Sequence, residues 1–319
     1  MSQSVLVSLA RHRRIDAILL LVIPHPREHG GDAKWVAQAL GIPILDLSIS
    51  MNPFAPPIPQ LAGAHLDALS RYPDPTEATA QVAEAMGISA DRLLLTNGGS
   101  EAIALLAAVE PRGWVVEPEF SLYRRHLAAV DPSGLRWRSN PSNPLGTLAA
   151  TTETSDVWDE AFYPLATGQW TRGDEGAWRL GSLTKLWTCP RLRIGYLIAP
   201  TPEQKAMAAA RQPHWSVNGL VLEMMGELLA LTDLPAWSAA VDRLREQLAG
   251  ELRGLGYAVR DTAANWLLID DAAGLRERLA PHGVLVRDCT SFGMPDTARM
   301  GLPLPRDVDR VVSAMAAAR

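Results

Sequence analysis

The stretch Leu93-Leu94-Leu95-Thr96-Asn97-Gly98-Gly99-Ser100 constrains this chain more than any other. An apolar run ends in a small-residue turn, and a helical pattern follows through Glu101-Ala102-Ile103-Ala104-Leu105-Leu106. Residues 93–95, 114–116 and 156–158 read as short buried strands between helical segments. That alternation predicts an α/β fold, with a mostly parallel sheet covered by helices on both faces. From about Glu203 the pattern is helical through Leu252 and then mixed, which predicts a smaller α+β domain. At 319 residues the chain is long enough for both.

The same turn carries chemistry. A helix entered through glycines presents free N–H groups and a positive dipole end to an anion. Gly98, Gly99 and Ser100 are therefore candidates for a phosphate cup, although an ordinary helix capped by Ser100 fits the same letters. A second string, Gly181-Ser182-Leu183-Thr184-Lys185, is followed eight residues later by Arg193. One short segment thus offers an amine, a hydroxyl and a guanidinium. Lysine forms Schiff bases with aldehydes, and pyridoxal phosphate is the biological aldehyde that uses this. Ser182 and Arg193 would hold that cofactor's phosphate, the arginine as a planar fork. A surface lysine and arginine in a loop is the plain alternative. Asp159, in Asp156-Val157-Trp158-Asp159-Glu160, leaves an apolar strand, and a protonated pyridine nitrogen would be a fitting partner for a carboxylate there. Glu160 reads as an acidic strand end facing water. In Asn140-Pro141-Ser142-Asn143-Pro144-Leu145-Gly146, a proline-rich turn, Asn143 is a candidate donor to the phenolic oxygen of the ring.

The order of Gly-Gly-Ser, Asn-Pro-x-Asn-Pro-x-Gly, Asp-Glu-Ala-Phe and Ser-x-x-Lys, with arginine eight residues on, resembles the aspartate aminotransferase fold family. Within it the chain is similar to the branch of histidinol-phosphate aminotransferases and threonine-phosphate decarboxylases, from about Glu28 to the C-terminus. The resemblance implies a homodimeric pyridoxal 5'-phosphate enzyme with its cofactor between domains. Tyr72 would reach a neighbouring subunit's cofactor phosphate, and Phe120, with Tyr123 as rival, would stack on the ring. His29 and Gly30, in His29-Gly30-Gly31-Asp32, take the family's role at the substrate phosphate, and Arg287 and Arg299 bind the substrate's anionic groups. This opening segment, Asn52-Pro53, Trp215-Ser216-Val217-Asn218, Val286-Arg287-Asp288-Cys289 and Phe162, where the aminotransferases carry tyrosine, are decarboxylase-like. The implied reaction is decarboxylation of O-phosphothreonine to aminopropanol phosphate, used in cobalamin synthesis. Orientation of the Cα–carboxylate bond against the ring would select that bond. Freed Lys185 would return a proton to Cα. A histidinol-phosphate-type aminotransferase and a non-catalytic cofactor-binding protein are the competing readings, and O-phosphoserine is a rival substrate.

Three departures from the family pattern stand out. Ser50 replaces a substrate-contacting asparagine, Gly99 replaces a serine of the phosphate cup, and only twelve residues separate Gly146 from Asp159, where relatives fit a helix. The implied organisation is an N-terminal extension over 1–27, a segment over 28–60 joining the small domain, a large cofactor-binding domain over 61–202 and a small domain over 203–319. In the extension, Arg11, Arg13 and Arg14 precede an apolar run over 17–23 that is too short to span a membrane and lacks a small-residue cleavage site. A net charge of −5 gives no nucleic-acid footprint. Cys189 and Cys289 suit a reducing, cytoplasmic compartment, and the seven histidines show no metal-ligand spacing.

Overall fold

The structure, a computed structural model, describes residues 23–26 and 29–319. The N-terminal extension expected over 1–27 thus lies largely outside the described residues. Two compact units are present. One holds Met51–Leu244 and Thr262–Asn265; the other holds the described residues up to Ser50, Arg245–Asp261 and Trp266–Arg319.

The first unit is built on a seven-stranded sheet. Its strands lie in the order Leu93–Thr96, Gly195–Ile198, Trp178–Gly181, Val157–Asp159, Leu135–Ser139, Arg112–Trp114 and Ala129–Val130. Gly195–Ile198 is antiparallel to both of its neighbours, and every other pairing is parallel. This is the mostly parallel α/β sheet expected from the alternation. Trp178–Gly181 and Gly195–Ile198 are buried at every position, as strands covered on both faces must be. Period-two alternation divides their side chains between two cores. Tyr196 and Ile198 join Leu93, Leu95 and Leu183 on one side, while Leu180 and Leu197 join Trp137, Val157 and Trp178 on the other. The helix Gly98–Val109 lays Ala102, Ile103, Leu106 and Ala107 into the second core, the i, i+4 spacing of one helix face.

Two strands differ in position from the sequence expectation. Residues 115 and 116 lie outside the sheet, and Val116 is 59% exposed. Its parallel neighbour, Ala129–Val130, is only two residues long, and Glu117-Pro118 follows, where proline has no N–H to offer a ladder. The strand expected over 156–158 is Val157–Asp159, because exposed Asp156 instead accepts the Arg136 N–H at 2.8 Å. Asp159 is consequently the last residue of a buried strand.

Residues 147–156, in the short stretch between Gly146 and Asp159, form an irregular loop. Arg172 supplies what that loop lacks in backbone pairing. Its guanidinium lies 4.4 Å from the Trp158 ring centroid and donates to the carbonyls of Ala150, Thr151 and Glu153 at 2.9, 3.1 and 2.8 Å.

The second unit is α+β. An antiparallel sheet runs in the order Arg287–Asp288, Ala298–Gly301, Trp266–Asp270 and Ala258–Arg260. Leu45–Asp46 pairs in parallel with Val284–Leu285, and the helices Ala33–Leu40, Leu275–Leu279 and Val308–Ala317 complete it. Asp32 and Arg276 form an ion pair whose side chains are 3% and 2% exposed. No helix among the described residues is long and apolar enough to cross a membrane.

Candidate active site

The candidate site begins at the carboxyl end of the strand Leu93–Thr96, where the helix Gly98–Val109 starts. Asn97 is the N-cap, and its side chain makes no capping hydrogen bond. The cap is therefore not Ser100, as an ordinary capped helix would have had it. Glu101 reaches back to accept the Asn97 N–H at 2.7 Å. The N–H groups of the first turn, on Gly98, Gly99 and Ser100, point out of the helix end without intrahelical partners.

The glycines are required by shape. Gly98 has φ +75°, and a Cβ there would fall on the Arg193 guanidinium, 2.8 Å from Cζ. A Cβ on Gly195 would come 2.5 Å from the Gly98 carbonyl carbon and 2.6 Å from the Gly99 nitrogen. One on Gly181 would collide with the Tyr196 ring. At Gly99 the nearest contacts would be ordinary, 3.5 Å to the Gly181 carbonyl oxygen and 3.6 Å to Ser182 Cβ. Gly98, Gly99, Ser182 and Arg193 thus converge at one helix N-terminus. Gly181 and Gly195 are part of this floor and carried no sequence signal beyond the motif strings around them.

A double tie fixes Lys185 relative to Arg193. Thr184 Oγ1 donates to the Ile194 carbonyl and accepts the Ile194 N–H, each at 2.9 Å, and the Thr184 N–H adds a bond to the same carbonyl at 2.8 Å. Asn52 holds the other side. Its N–H donates to the Lys185 carbonyl at 3.1 Å and its Nδ2 to the Leu186 carbonyl at 2.9 Å, while Thr188 donates to its carbonyl at 2.7 Å. Sequence reading gave Asn52 no role, because these partners lie more than 130 residues away. Lys185 Nζ lies 5.8 Å from the Phe162 ring centroid.

Asp159 is 7% exposed. Burial pushes its carboxyl above the usual range, opposed by the Tyr123 hydroxyl, the Ala161 N–H and the Lys185 ammonium. Tyr123 Oη donates to Asp159 Oδ2 at 2.7 Å, and the Ala161 N–H donates to Oδ1 at 2.9 Å. Tyr123 is 1% exposed, whereas Phe120 is half-buried and meets Tyr123 edge-on at 5.9 Å. Asn143 is 9% exposed, and its N–H donates to Ser139 Oγ at 2.8 Å. Glu160 is fully buried, not facing water as its position at a strand end suggested. It accepts from Thr171 Oγ1 and the Arg172 N–H, and burial lifts its carboxyl to about 7.

Tyr72 is 77% exposed and stacks on Trp215 at 4.6 Å. The next residue, Ser216, accepts from Asn97 Nδ2 at 3.0 Å and donates to Glu101 at 3.2 Å. The aromatic pair is therefore tied to the start of the helix Gly98–Val109.

The remaining candidates lie in the second unit. Gly30 has φ +69°, with room for a Cβ only 2.9 Å from the Ser48 carbonyl oxygen, and the Gly31 N–H donates to Ser48 Oγ at 2.9 Å. His29 is exposed. Arg299 Nη2 reaches the Ser48 carbonyl at 3.5 Å. Arg287 and Arg299 are direct partners across adjacent strands and each is 5% exposed. Arg287 lies against the Phe292 ring at 4.5 Å and Arg299 against Trp266 at 5.1 Å. Burial, reinforced by Arg287, lowers the Arg299 guanidinium to about 9. Ser50 is 1% exposed, and its Oγ has no hydrogen-bond partner among the described residues.

The donor set of the first unit fits pyridoxal phosphate. A helix N-terminus, a hydroxyl and a guanidinium meet at a glycine floor that a methyl group would fill. A lysine and a buried carboxylate lie close enough to interact.

Residues 137–315, more than half of the chain, match the model of the family Aminotransferase class I and II. A threonine-phosphate decarboxylase of Salmonella typhimurium is 29% identical over 83% of this chain and 88% of its own length. A histidinol-phosphate aminotransferase of Dechloromonas aromatica is 24% identical over 91% of this chain and 95% of its own. Among solved structures, histidinol-phosphate aminotransferase from Sinorhizobium meliloti in complex with pyridoxal 5'-phosphate superposes with a TM-score of 0.78 at 16% identity, covering 94% of this chain and 96% of that one.

Proposed function

We propose, on the premise that this chain belongs to the class I and II aminotransferase family, that it works as a lyase releasing carbon dioxide from O-phosphothreonine. The chain is a pyridoxal-phosphate enzyme with the aspartate-aminotransferase-like fold. The residues we assign to the cofactor are Gly98, Gly99, Ser100, Ser182 and Arg193 at its phosphate, Asp159 at its ring nitrogen, Asn143 at its phenolic oxygen, Phe120 on its face, and Lys185 as the covalent link. Tyr123 acts on the ring through Asp159, and Tyr72 serves a neighbouring subunit in a homodimer. When bound, the cofactor supplies an electron sink for the pair left at the substrate's α-carbon.

The observation that carries the reading is the pair Arg287 and Arg299. Two buried guanidiniums in direct register, each held against an aromatic face, set two positive charges side by side on one face of the sheet, which suits a ligand with two anionic groups. A phospho-amino acid has two anions. Held by a carboxylate at one arginine and by a phosphate at the other, with His29 and Gly30 assisting, it has one orientation about its α-carbon. That orientation selects the bond broken. Lys185 Nζ then returns the proton to Cα. Phe162 brings a ring without a hydroxyl to the neighbourhood of the amine, which favours the lyase over a histidinol-phosphate-type aminotransferase.

The test is carboxyl-labelled O-phosphothreonine, with threonine, O-phosphoserine and histidinol phosphate in parallel and a 2-oxo acid acceptor present. Labelled carbon dioxide from O-phosphothreonine is expected, with threonine slower by about four orders of magnitude, because donors built for a phosphate are left unpaired without it. Transfer of amino groups to the acceptor without carbon dioxide refutes the lyase.

A further inference from the structure

Trp215 has no part in the assignments above, and its placement is unusual for a large apolar side chain. Its backbone has φ +58°, the left-handed region that bulky residues avoid, and its ring is 61% exposed. Such a conformation persists only where the surroundings impose it. On one side, Gln212 Nε2 donates to the Leu95 carbonyl at 2.8 Å and to Glu101 Oε2 at 3.0 Å. On the other, Ser216 Oγ donates to the same Glu101 oxygen at 3.2 Å, and the Ser216 carbonyl accepts from Asn97 Nδ2 at 3.0 Å. Val217 is buried, and Asn218 caps the helix Gly219–Glu223. One carboxylate oxygen thus fastens the loop over 212–216 to the start of the helix Gly98–Val109, and Trp215 projects from that loop.

What the projecting ring meets is Tyr72. The two rings stack with centroids 4.6 Å apart and planes inclined by 29°. Tyr72 stands in an irregular segment between the 3-10 helix Leu66–Ser70 and the helix Thr76–Met86. A ring as exposed as Tyr72 has several rotamers open to it. Stacking on a ring whose backbone is fastened selects one of them. Leu66 and Leu69, just before Tyr72, are 57% and 71% exposed. The segment leading to Tyr72 is therefore apolar and open to solvent, as suits a surface that a second copy covers.

We propose that Trp215 is a positioning residue for Tyr72. The stack presets the phenol for the phosphate of pyridoxal phosphate held by a neighbouring subunit, so Trp215 of one copy serves the cofactor of the other. The proposal rests on the reading that Tyr72 serves a neighbouring subunit. A local role is the alternative, because the loop is tied to its own subunit's helix Gly98–Val109.

Titrations of cofactor-free protein with pyridoxal phosphate test the stack. Trp215→Ala should bind roughly 2–12-fold more weakly, the range that an aromatic pair supplies. Trp215→Asn, whose side chain tolerates the left-handed backbone, should do the same, and Trp215→Phe, which keeps a ring, should bind like wild type. Trp215→Ala added to Tyr72→Ala should bring no further loss, since Trp215 acts through a ring already removed. Mixed dimers then decide the direction. A Trp215→Ala chain is paired with a Lys185→Ala chain, the two carrying different tags. One site of this dimer has an intact Lys185 and receives Tyr72 and Trp215 from the other chain. It should bind with wild-type affinity and, after borohydride reduction, keep cofactor on Lys185 at about half the wild-type yield. Tyr72→Ala paired with Lys185→Ala is run in parallel. Wild-type affinity in both Trp215→Ala and Trp215→Asn overturns the proposal, and so does a further loss in the double variant. If the Tyr72→Ala mixture recovers its site and the Trp215→Ala mixture does not, Trp215 acts on its own subunit, and the proposal falls while the shared site stands. If no mixed dimer forms, or neither mixture recovers a site, the shared site itself is refuted and the proposal with it.

Discussion

Gly98→Ala separates two effects that are usually confounded, because the added methyl acts once on the backbone and once on Arg193. Gly98 sits at φ +75°, and an L-residue held there costs roughly 1–2 kcal/mol. That cost falls on the protein with or without cofactor. It should lower the melting temperature of the cofactor-free enzyme by a few degrees, since about 1 kcal/mol moves a large domain about 2–4 °C. The second effect is geometric. The new Cβ lands on the guanidinium, so Arg193 must move away from the helix end. A lost hydrogen bond to a charged group is worth about 1.5–3 kcal/mol. This loss appears only when the phosphate is bound, so affinity for pyridoxal phosphate should fall about one to two orders of magnitude. The assay is a titration of cofactor-free protein with pyridoxal phosphate, followed by tryptophan fluorescence, with melts recorded with and without cofactor. Gly99→Ala is the control, since a Cβ there finds only ordinary contacts. Affinity of Gly98→Ala within a factor of about two of wild type would refute the placement of Arg193 at the phosphate. Equal damage from Gly99→Ala would refute the steric argument.

Asp159→Asn should keep pyridoxal phosphate bound but lose most turnover, since an amide cannot hold the ring nitrogen protonated; removing one member of a buried charge pair typically costs roughly 3–5 kcal/mol, and near-native turnover would assign the ring nitrogen to another residue. Arg276→Met leaves Asp32 buried without its cation, so urea denaturation should show a loss of roughly 3–5 kcal/mol, and a loss below about 1 kcal/mol would contradict the pair's burial. Glu160 has its folded-state acid raised from 4.5 to about 7, so the fold favours its neutral form. Its stabilising effect is complete below 4.5 and is lost as pH rises to about 7. Glu160→Gln should flatten the stability profile over that window, and an unchanged slope in thermal melts would count against it.

Much of the candidate site was legible in the sequence because its parts are local. Gly98 to Ser100 and Ser182 to Arg193 are short strings in which helix entry, amine and guanidinium are set by chain spacing alone. What could not be read depends on pairing between distant strands. Tyr123 reaches Asp159 across 36 positions, and Asn52 reaches Leu186 across 134. Glu160 looked solvated because charged residues at strand ends usually are, yet Thr171 and the Arg172 backbone close over it. The strand offsets at 114–116 and 156–158 arose where a short neighbour or a side-chain bond ended the ladder, neither of which hydrophobic period reports.

The second unit draws on both ends of the chain, and this has a consequence during synthesis. Asp32 and Arg276 are 244 positions apart, and Leu45 pairs with Val284. At about 5–20 residues per second, the opening segment emerges roughly 12–50 s before its partners do. Over that interval Val36 has not yet met Ala280 and Leu285, the residues that later bury it. The first unit, whose sheet strands all fall between Leu93 and Ile198, can fold while the ribosome is still working. A nascent chain stalled near Leu244 should therefore carry a folded first unit while Val36 and its neighbours still await the apolar residues that cover them.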